Sequence, residues 1–212
     1  MKLHKEDIER LERAYRLNLI NSISGIKPAN LIGTRSSTNK ENVAIFSSVV
    51  HLGSSPAQLA FIMRPQTAIP RDTYPNIMET GFYTINHVSE AFIEKAHYTS
   101  AKLLKGYSEF ERMKLRPEYI GDFHAPFVKE SPVKIGMKYE ESIPLPNGCI
   151  FIIGSVQMII CPDDIINDLG QMNLESYAGV GISGLNTYYG FKKLDSFPYV
   201  RENEIPEFNE KI

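Results

Sequence analysis

The segment from Asn42 to Asn86 carries the residues best suited to chemistry, because hydroxyls and arginines stand at the ends of its apolar runs. Ser47 and Ser48 follow the run NVAIF, and Arg64 follows AFIM. The stretch RDTYPN, residues 71–76, has the pattern of a helix start, where exposed backbone amides attract phosphate. Taken together, these residues predict a cradle for a phosphorylated cofactor.

Each of these features also has an ordinary structural explanation. Asp72 would repel a phosphate unless its carboxylate points away, and Pro75 removes one amide donor from the first helical turn. The RDTYPN stretch can therefore be a plain helix cap. Serine hydroxyls can satisfy neighbouring backbone groups, and an arginine at a strand end is usually a solvated charge. The residues alone leave both interpretations open.

A glycine-rich motif near the C-terminus, GVGISG, matches the GxGxxG pattern at Gly179, Gly181 and Gly184. A dinucleotide fingerprint must follow a strand and open a helix within a βαβ unit. This motif instead follows NLESYA and precedes LNTYYG, with little chain left after it. We predict a flexible turn or loop here.

The only two cysteines, Cys149 and Cys161, flank an apolar run that we predict to be one strand. At about 3.3 Å per residue they would lie roughly 35 to 40 Å apart, beyond the reach of a disulfide. Neither belongs to a CxxC motif or has a histidine nearby, so we expect structural thiols and no metal site. Asp163 and Asp164 are expected to begin a short helix rather than to form a catalytic pair.

The composition indicates a soluble protein that acts on small molecules. The chain has 212 residues, 42% of them hydrophobic, and a formal net charge of -2 with scattered basic residues. This pattern favours a single domain over residues 1–212 and argues against partners such as nucleic acid or an anionic membrane. We find no secretory signal at the N-terminus, and the longest apolar run is too short to span a membrane, so we expect a cytoplasmic protein.

The order of elements predicts a mainly β protein, an antiparallel β-barrel with peripheral helices. Apolar residues at helical spacing predict an amphipathic N-terminal helix over about 4–20, and residues 199–212 are expected to form an extension. We predict that the first three strands form a meander and that further helices are capped by Gly81 and Ser89. The predicted strands are Asn30 to Arg35, Val43 to His51, Gln58 to Arg64, Phe82 to Asn86, Val133 to Glu141 and Ile150 to Ile160.

Several of these stretches together resemble the flavin reductase-like FMN-binding split-barrel family, and most of all its flavoredoxin-like branch. The resemblance is carried by NVAIFSSV, FIMRP, RDTYPNIMETGFYTINHVSE, AHYTSA and KESPV, and it becomes loose in the C-terminal third. It implies an antiparallel FMN-binding split barrel that forms a homodimer and holds FMN near the subunit interface.

The resemblance also implies which residues bind the cofactor. In such proteins the segment matching 42–47 runs beside the flavin ring, and the turn matching 71–73 lies on the phosphate side. Tyr188 and Tyr189 could cover the ring or could be ordinary packing residues. The candidate cofactor-binding residues are Asn42, Val43, Ala44, Phe46, Ser47, Ser48, Arg64, Arg71, Thr73, Lys95, His97, Thr99 and Ser100.

By this resemblance, the function is an FMN-dependent oxidoreductase that uses NADH or NADPH and passes electrons to free flavin, another small molecule or a protein. A flavin stores the electrons itself, so the protein needs no catalytic acid or nucleophile of its own. The alternative is an electron carrier or FMN-binding protein that does not oxidise nicotinamide. Segment 42–73 supports both functions equally.

Overall fold

A computed structural model describes residues 1–65, 71–103 and 107–208, and it is mainly β with short helices, as predicted. The helices are α1 Lys5–Arg10, α2 Arg13–Ser22, α3 Thr73–Thr80, α4 Ile93–Tyr98 and α5 Glu109–Arg112. Short 3₁₀ helices cover Glu90–Phe92, Asp163–Ile165 and Glu202–Glu204. The strands are β1 Lys27–Pro28, β2 Asn30–Arg35, β3 Glu41–Phe46, β4 Val50–Ser54, β5 Ala57–Met63, β6 Phe82–His87, β7 Pro117–Glu118, β8 Phe127–Val128, β9 Lys134–Pro144, β10 Ile150–Ile160, β11 Val180–Ser183 and β12 Thr187–Gly190.

The main sheet has seven strands in the order β3-β2-β6-β9-β10-β5-β4, and every neighbouring pair is antiparallel. Its two edges approach each other just after β3. There the Ser48 hydroxyl donates to the carbonyl of Ile62 in β5 at 3.2 Å and accepts from the Ile62 amide at 3.0 Å. The sheet therefore curls into a barrel that is split between its edge strands. A smaller sheet, β1-β11-β12, lies beside it.

The strand predicted from Val43 to His51 is wrong, because the chain leaves the sheet at Ser47 and re-enters it at Val50. β3 pairs with β2 and β4 pairs with β5, at opposite edges of the sheet. The predicted meander is therefore wrong as well. The chain crosses the split of the barrel here, and the Ser48 hydroxyl that bonds to Ile62 holds that crossing in place.

The single N-terminal helix predicted over about 4–20 is two helices, α1 and α2. The chain extends at Leu11, with φ -57° and ψ 144°, which ends α1. The Glu12 carboxylate then accepts the amide hydrogens of Ala14 at 2.8 Å and Tyr15 at 3.0 Å, and so starts α2 anew. No residue of either helix is fully buried.

The predicted loop at GVGISG is also wrong, since its centre is the buried strand β11. A side chain at Gly179 would collide with the Tyr177 ring, and one at Gly181 would lie 2.2 Å from an Ile26 methyl carbon. Only Gly184, with φ +66°, serves a turn, the one between β11 and β12. The glycines thus leave room for packing, and no helix follows them to make a dinucleotide site.

Several predicted boundaries are confirmed. β2 and β10 have the predicted limits, and α3 ends at Gly81 in the left-handed conformation, with φ 74°. The helix predicted after Ser89 begins as the 3₁₀ turn Glu90–Phe92 and continues as α4, although Ser89 makes no capping bond through its side chain. The last four residues of the predicted C-terminal extension lie outside the described residues.

Two apolar clusters hold these elements together. One fills the barrel, where the Phe46, Phe61 and Tyr83 rings meet edge to face at centroid distances of 5.1 and 5.6 Å. The other lies between the two sheets and the helices α4 and α5. A side chain at Gly154 would fall 2.3 Å from the Tyr83 hydroxyl, so the bare glycine makes room for this ring. None of the helices in the described ranges has the length and apolarity to cross a membrane.

Candidate functional site

A cavity of about 620 Å³ opens beside the C-terminal end of β3. Small-molecule sites typically enclose roughly 300 to 1,000 Å³, so its size suits a cofactor. Many of the residues predicted from the sequence line it. They are Ala44, Phe46, Ser47, Ser48, Arg64, Arg71, His97, Thr99 and Ser100.

A smaller cavity adjoins the first one at the start of α3. The two cavities share Ala44, Arg71, Thr99 and Ser100, and Asn42 and Thr73 line only the smaller one. Candidates from the β3, α3 and α4 regions therefore meet around one continuous space.

A network of buried polar side chains fixes the shape of this space. Asn42 donates to the hydroxyls of Thr34 at 3.1 Å and Thr73 at 3.0 Å, and Asn76 donates to Thr34 at 3.1 Å. Thr73 is only 1% exposed, and Asn42 is buried as well. Because these bonds tie β2 and β3 to the first turn of α3, they hold the helix start in place beside the cavity.

Two arginines place positive charge on the cavity wall. Arg64 follows β5, and Arg71 precedes Asp72, the N-cap residue of α3. Burial lowers the pKa of Arg71, and the like charge of Arg64 lowers it further. An anion bound beside the two guanidinium groups would offset their like charge. Together with the α3 start, they make this end of the cavity suitable for phosphate.

Acidic groups flank the same place. Glu109 lines the smaller cavity together with Asp72. Burial raises the pKa of Glu109 to about 7 and the charge of Asp72 adds to the rise, although the Val43 amide hydrogen opposes it. The Glu109 carboxyl therefore takes up or releases a proton near neutral pH, so the charge around Arg71 depends on pH.

His97 borders the main cavity, and Tyr188 supports it from β12. The Tyr188 hydroxyl lies 3.1 Å from His97 Nδ1, and the two rings meet edge to face at 5.8 Å. Burial raises the pKa of Tyr188 to about 12, so the hydroxyl keeps its proton. Tyr188 packs against the cluster between the sheets and does not line the main cavity, and Tyr189 is 45% exposed.

Two sequence candidates do not reach the shared space. The Val43 side chain is fully buried in the cluster between the sheets. Lys95 lies on an outer groove beside α4, where its ammonium group donates to the Lys114 carbonyl at 3.0 Å. Among the candidates inside the cavity, the Ser48 hydroxyl already bonds to Ile62 and that of Thr99 already donates to Ala96 at 2.7 Å.

The sequence interpretation missed one wall of the main cavity. This wall comes from the end of α2, from β11 and the turn after it, and from the start of β10. No spacing rule links these distant segments to β3, so only the fold brings them together. The lining residues missed there are Ile20, Asn21, Ser24, Lys27, Cys149, Ile182, Leu185 and Asn186, and Ile45 of β3 and Ile62 of β5 were missed beside the predicted residues.

Comparison with known families agrees with this geometry. The family described as flavin reductase like domain matches residues 26–174, which is more than half of the chain. The chain belongs to the flavin reductase-like family. The matched range contains β3, both arginines and α4, and so it includes most of the cavity wall.

Solved structures of split-barrel proteins share the fold of this flavin reductase-like chain. A split-barrel protein from Shewanella frigidimarina NCIMB 400, assigned as a flavin reductase, is 46% identical, with a TM-score of 0.91 over 94% of this chain and 100% of its own. Nitrilotriacetate monooxygenase component B from Bacillus cereus is 19% identical, with a TM-score of 0.81 over 93% of this chain and 98% of its own. Flavoredoxin of Desulfovibrio vulgaris (Miyazaki F) is 22% identical, with a TM-score of 0.71 over 82% of this chain and 91% of its own.

Proposed function

We propose that this protein is an FMN-binding oxidoreductase that takes hydride from NADH or NADPH and passes electrons to free flavin, another small molecule or a protein. The observation that carries the proposal is the cavity beside β3, which is lined by an arginine pair and hydroxyls as well as by apolar side chains. Membership of the flavin reductase-like family supports the choice of a flavin as the occupant.

The donor set fits an FMN phosphate at the arginine end. Arg64 and Arg71 would supply charge-assisted hydrogen bonds, and the amides at the start of α3 would add donors. Thr73 accepts a bond from Asn42, which leaves its own hydroxyl hydrogen able to donate. This cluster therefore favours a flavin that carries a phosphate over riboflavin.

The apolar part of the cavity suits a flat ring system. The Phe46 and Ile182 side chains lie there, and the backbone of β3 runs alongside. A bound flavin supplies the capacity to accept a hydride and release electrons. The residues of this chain would bind and orient it, while Ile20 and Leu185, which also line the cavity, would exclude water.

Two measurements test the proposal. FMN and riboflavin are titrated against the purified chain by flavin fluorescence, and FMN should bind more tightly. NADH and NADPH are then added without oxygen, and one of them should bleach the bound flavin. A protein that binds FMN but stays oxidised with both nucleotides would be the electron carrier or FMN-binding protein of the alternative. A protein that binds neither flavin would refute both functions.

We also propose, on the family resemblance, that the protein is a homodimer. Light scattering measures this mass directly, and a monomer at all concentrations would refute the proposal. The cytoplasmic location stays a prediction from the sequence.

A further inference from the structure

The segment 192–208, which we name the C-terminal arm, exposes large apolar side chains to solvent. Leu194 is 89% exposed, Phe197 81%, Tyr199 91% and Phe208 82%. Apart from the short 3₁₀ turn Glu202–Glu204, the described arm contains neither helix nor strand. Large apolar side chains that cluster on a surface usually mark a contact with another molecule.

Helix α2 carries a second exposed apolar surface. Leu17 is 46% exposed, Ile20 45% and Ile23 69%, and Ile26 just after the helix is 50% exposed. None of the residues in α2 is buried. Since the arm and α2 are both open to solvent, they do not cover each other within one chain.

We propose that the C-terminal arm of one copy packs over α2 of a second copy, and that the two copies exchange arms about a twofold axis. A twofold contact repeats itself, so both arms and both α2 helices would be covered at once. Buried aromatic side chains each remove about 150 to 250 Å² from water. The Phe197 and Tyr199 rings of two arms, at about 200 Å² each, and the surfaces that receive them would bury about 1,600 Å² in total, which is the size of a standard stable interface.

This contact would also complete the flavin site, a consequence that rests on the function proposed above. Ile20, Asn21 and Ser24 of the α2 region form one wall of the main cavity. The rest of the chain holds this wall only weakly, because none of the residues of α2 is buried. Ile20 belongs both to this wall and to the exposed apolar surface of α2, so the partner's arm packed on α2 would cover the wall and hold it in place.

The first test changes the apolar residues of the arm in the full chain. Phe197→Ser combined with Tyr199→Ser should raise the dissociation constant of the dimer more than about thirtyfold, as expected for buried aromatic anchors. Sedimentation equilibrium measures this constant. Lys193→Ser combined with Glu207→Ser, which changes exposed charged residues of the same arm, should alter it by less than about threefold. Equal effects of the two pairs, or a wild-type chain that is monomeric throughout, would overturn the proposal.

The second test locates the receiving surface by disulfide formation. In a background with Cys149→Ser and Cys161→Ser, chains that carry Leu17→Cys are mixed with chains that carry Phe197→Cys. The mixed disulfide dimer should form faster than either disulfide homodimer, because the arm and α2 face each other across the contact. If two Phe197→Cys chains join faster, the arms contact each other instead. If no mixed dimer forms, α2 is not the surface that receives the arm. Both results are read from mass, so neither depends on whether flavin binds.

Discussion

Replacing Arg71 with alanine should weaken FMN binding and leave riboflavin binding nearly unchanged. A hydrogen bond to a charged group contributes about 1.5 to 3 kcal/mol. Burial lowers the pKa of Arg71 and the like charge of Arg64 adds to the lowering, so the change also removes an unfavourable buried charge from the unbound protein. We therefore expect the lower part of that range, about 1.5 to 2 kcal/mol, or roughly a 10- to 30-fold loss of FMN affinity.

The assay is a parallel titration of FMN and riboflavin against the wild type and the variant. Lys95→Ala is the matched control, since this cation lies outside the cavity and bonds to the Lys114 carbonyl. Equal losses for FMN and riboflavin would show that Arg71 does not contact the phosphate. A loss for Lys95→Ala as large as that for Arg71→Ala would move the phosphate site toward α4 and refute the present placement.

Three further changes test other parts of the structure. Tyr188→Phe removes the hydroxyl beside His97 Nδ1, and it should reduce FMN affinity by about two- to tenfold in the same titration. Glu109→Gln removes a carboxyl whose pKa is raised to about 7 in the folded protein. Such a carboxyl stabilises the fold at pH values below the pKa it has in the unfolded chain, and this contribution is lost as pH rises through about 7. Thermal unfolding should therefore show the variant gaining stability relative to the wild type at pH about 8 but not at pH about 4.5. Gly154→Ala places a carbon 2.3 Å from the Tyr83 hydroxyl and should cost about 1 to 3 kcal/mol of unfolding free energy in urea.

Each of these three predictions has a result that would contradict it. Unchanged FMN affinity in Tyr188→Phe would mean that the pair it forms with His97 does not influence the cavity. If the stability difference between Glu109→Gln and the wild type stays constant with pH, the Glu109 carboxyl does not change its protonation between these two pH values. Gly53→Ala is the control for Gly154→Ala, because its new carbon would have only ordinary contact at 3.4 Å, and equal costs would refute the packing argument.

The sequence predicted those elements whose limits are set by neighbouring residues. β10 is an apolar run bounded by polar and turn residues, and α3 ends where Gly81 takes the left-handed conformation. Long-range contacts decided the failures. Strand β3 ends at Phe46, and Ser48 bonds to Ile62, a partner 14 residues away along the chain. No local pattern marks that contact.

The candidate site divides in the same way. Its sequence-local parts, the segments 42–48 and 71–73, were predicted and meet in the fold. The wall from α2 and the β11–β12 turn was missed, because Ile20 and Leu185 are ordinary apolar residues until the fold brings them to the same cavity as β3. Packing rather than spacing creates that wall. The loop predicted at GVGISG was wrong for a related reason, because two of its glycines make room for neighbouring side chains of a strand.

The proposed function requires that this chain holds FMN and that a nicotinamide nucleotide reduces it there. The most direct test is to mix FMN-loaded protein with NADH or NADPH in a stopped-flow instrument without oxygen and to follow the oxidised flavin absorbance. At least one nucleotide is expected to bleach the flavin, at a rate that saturates with its concentration. Flavin that stays oxidised with both nucleotides, yet bleaches when dithionite is added, would contradict it.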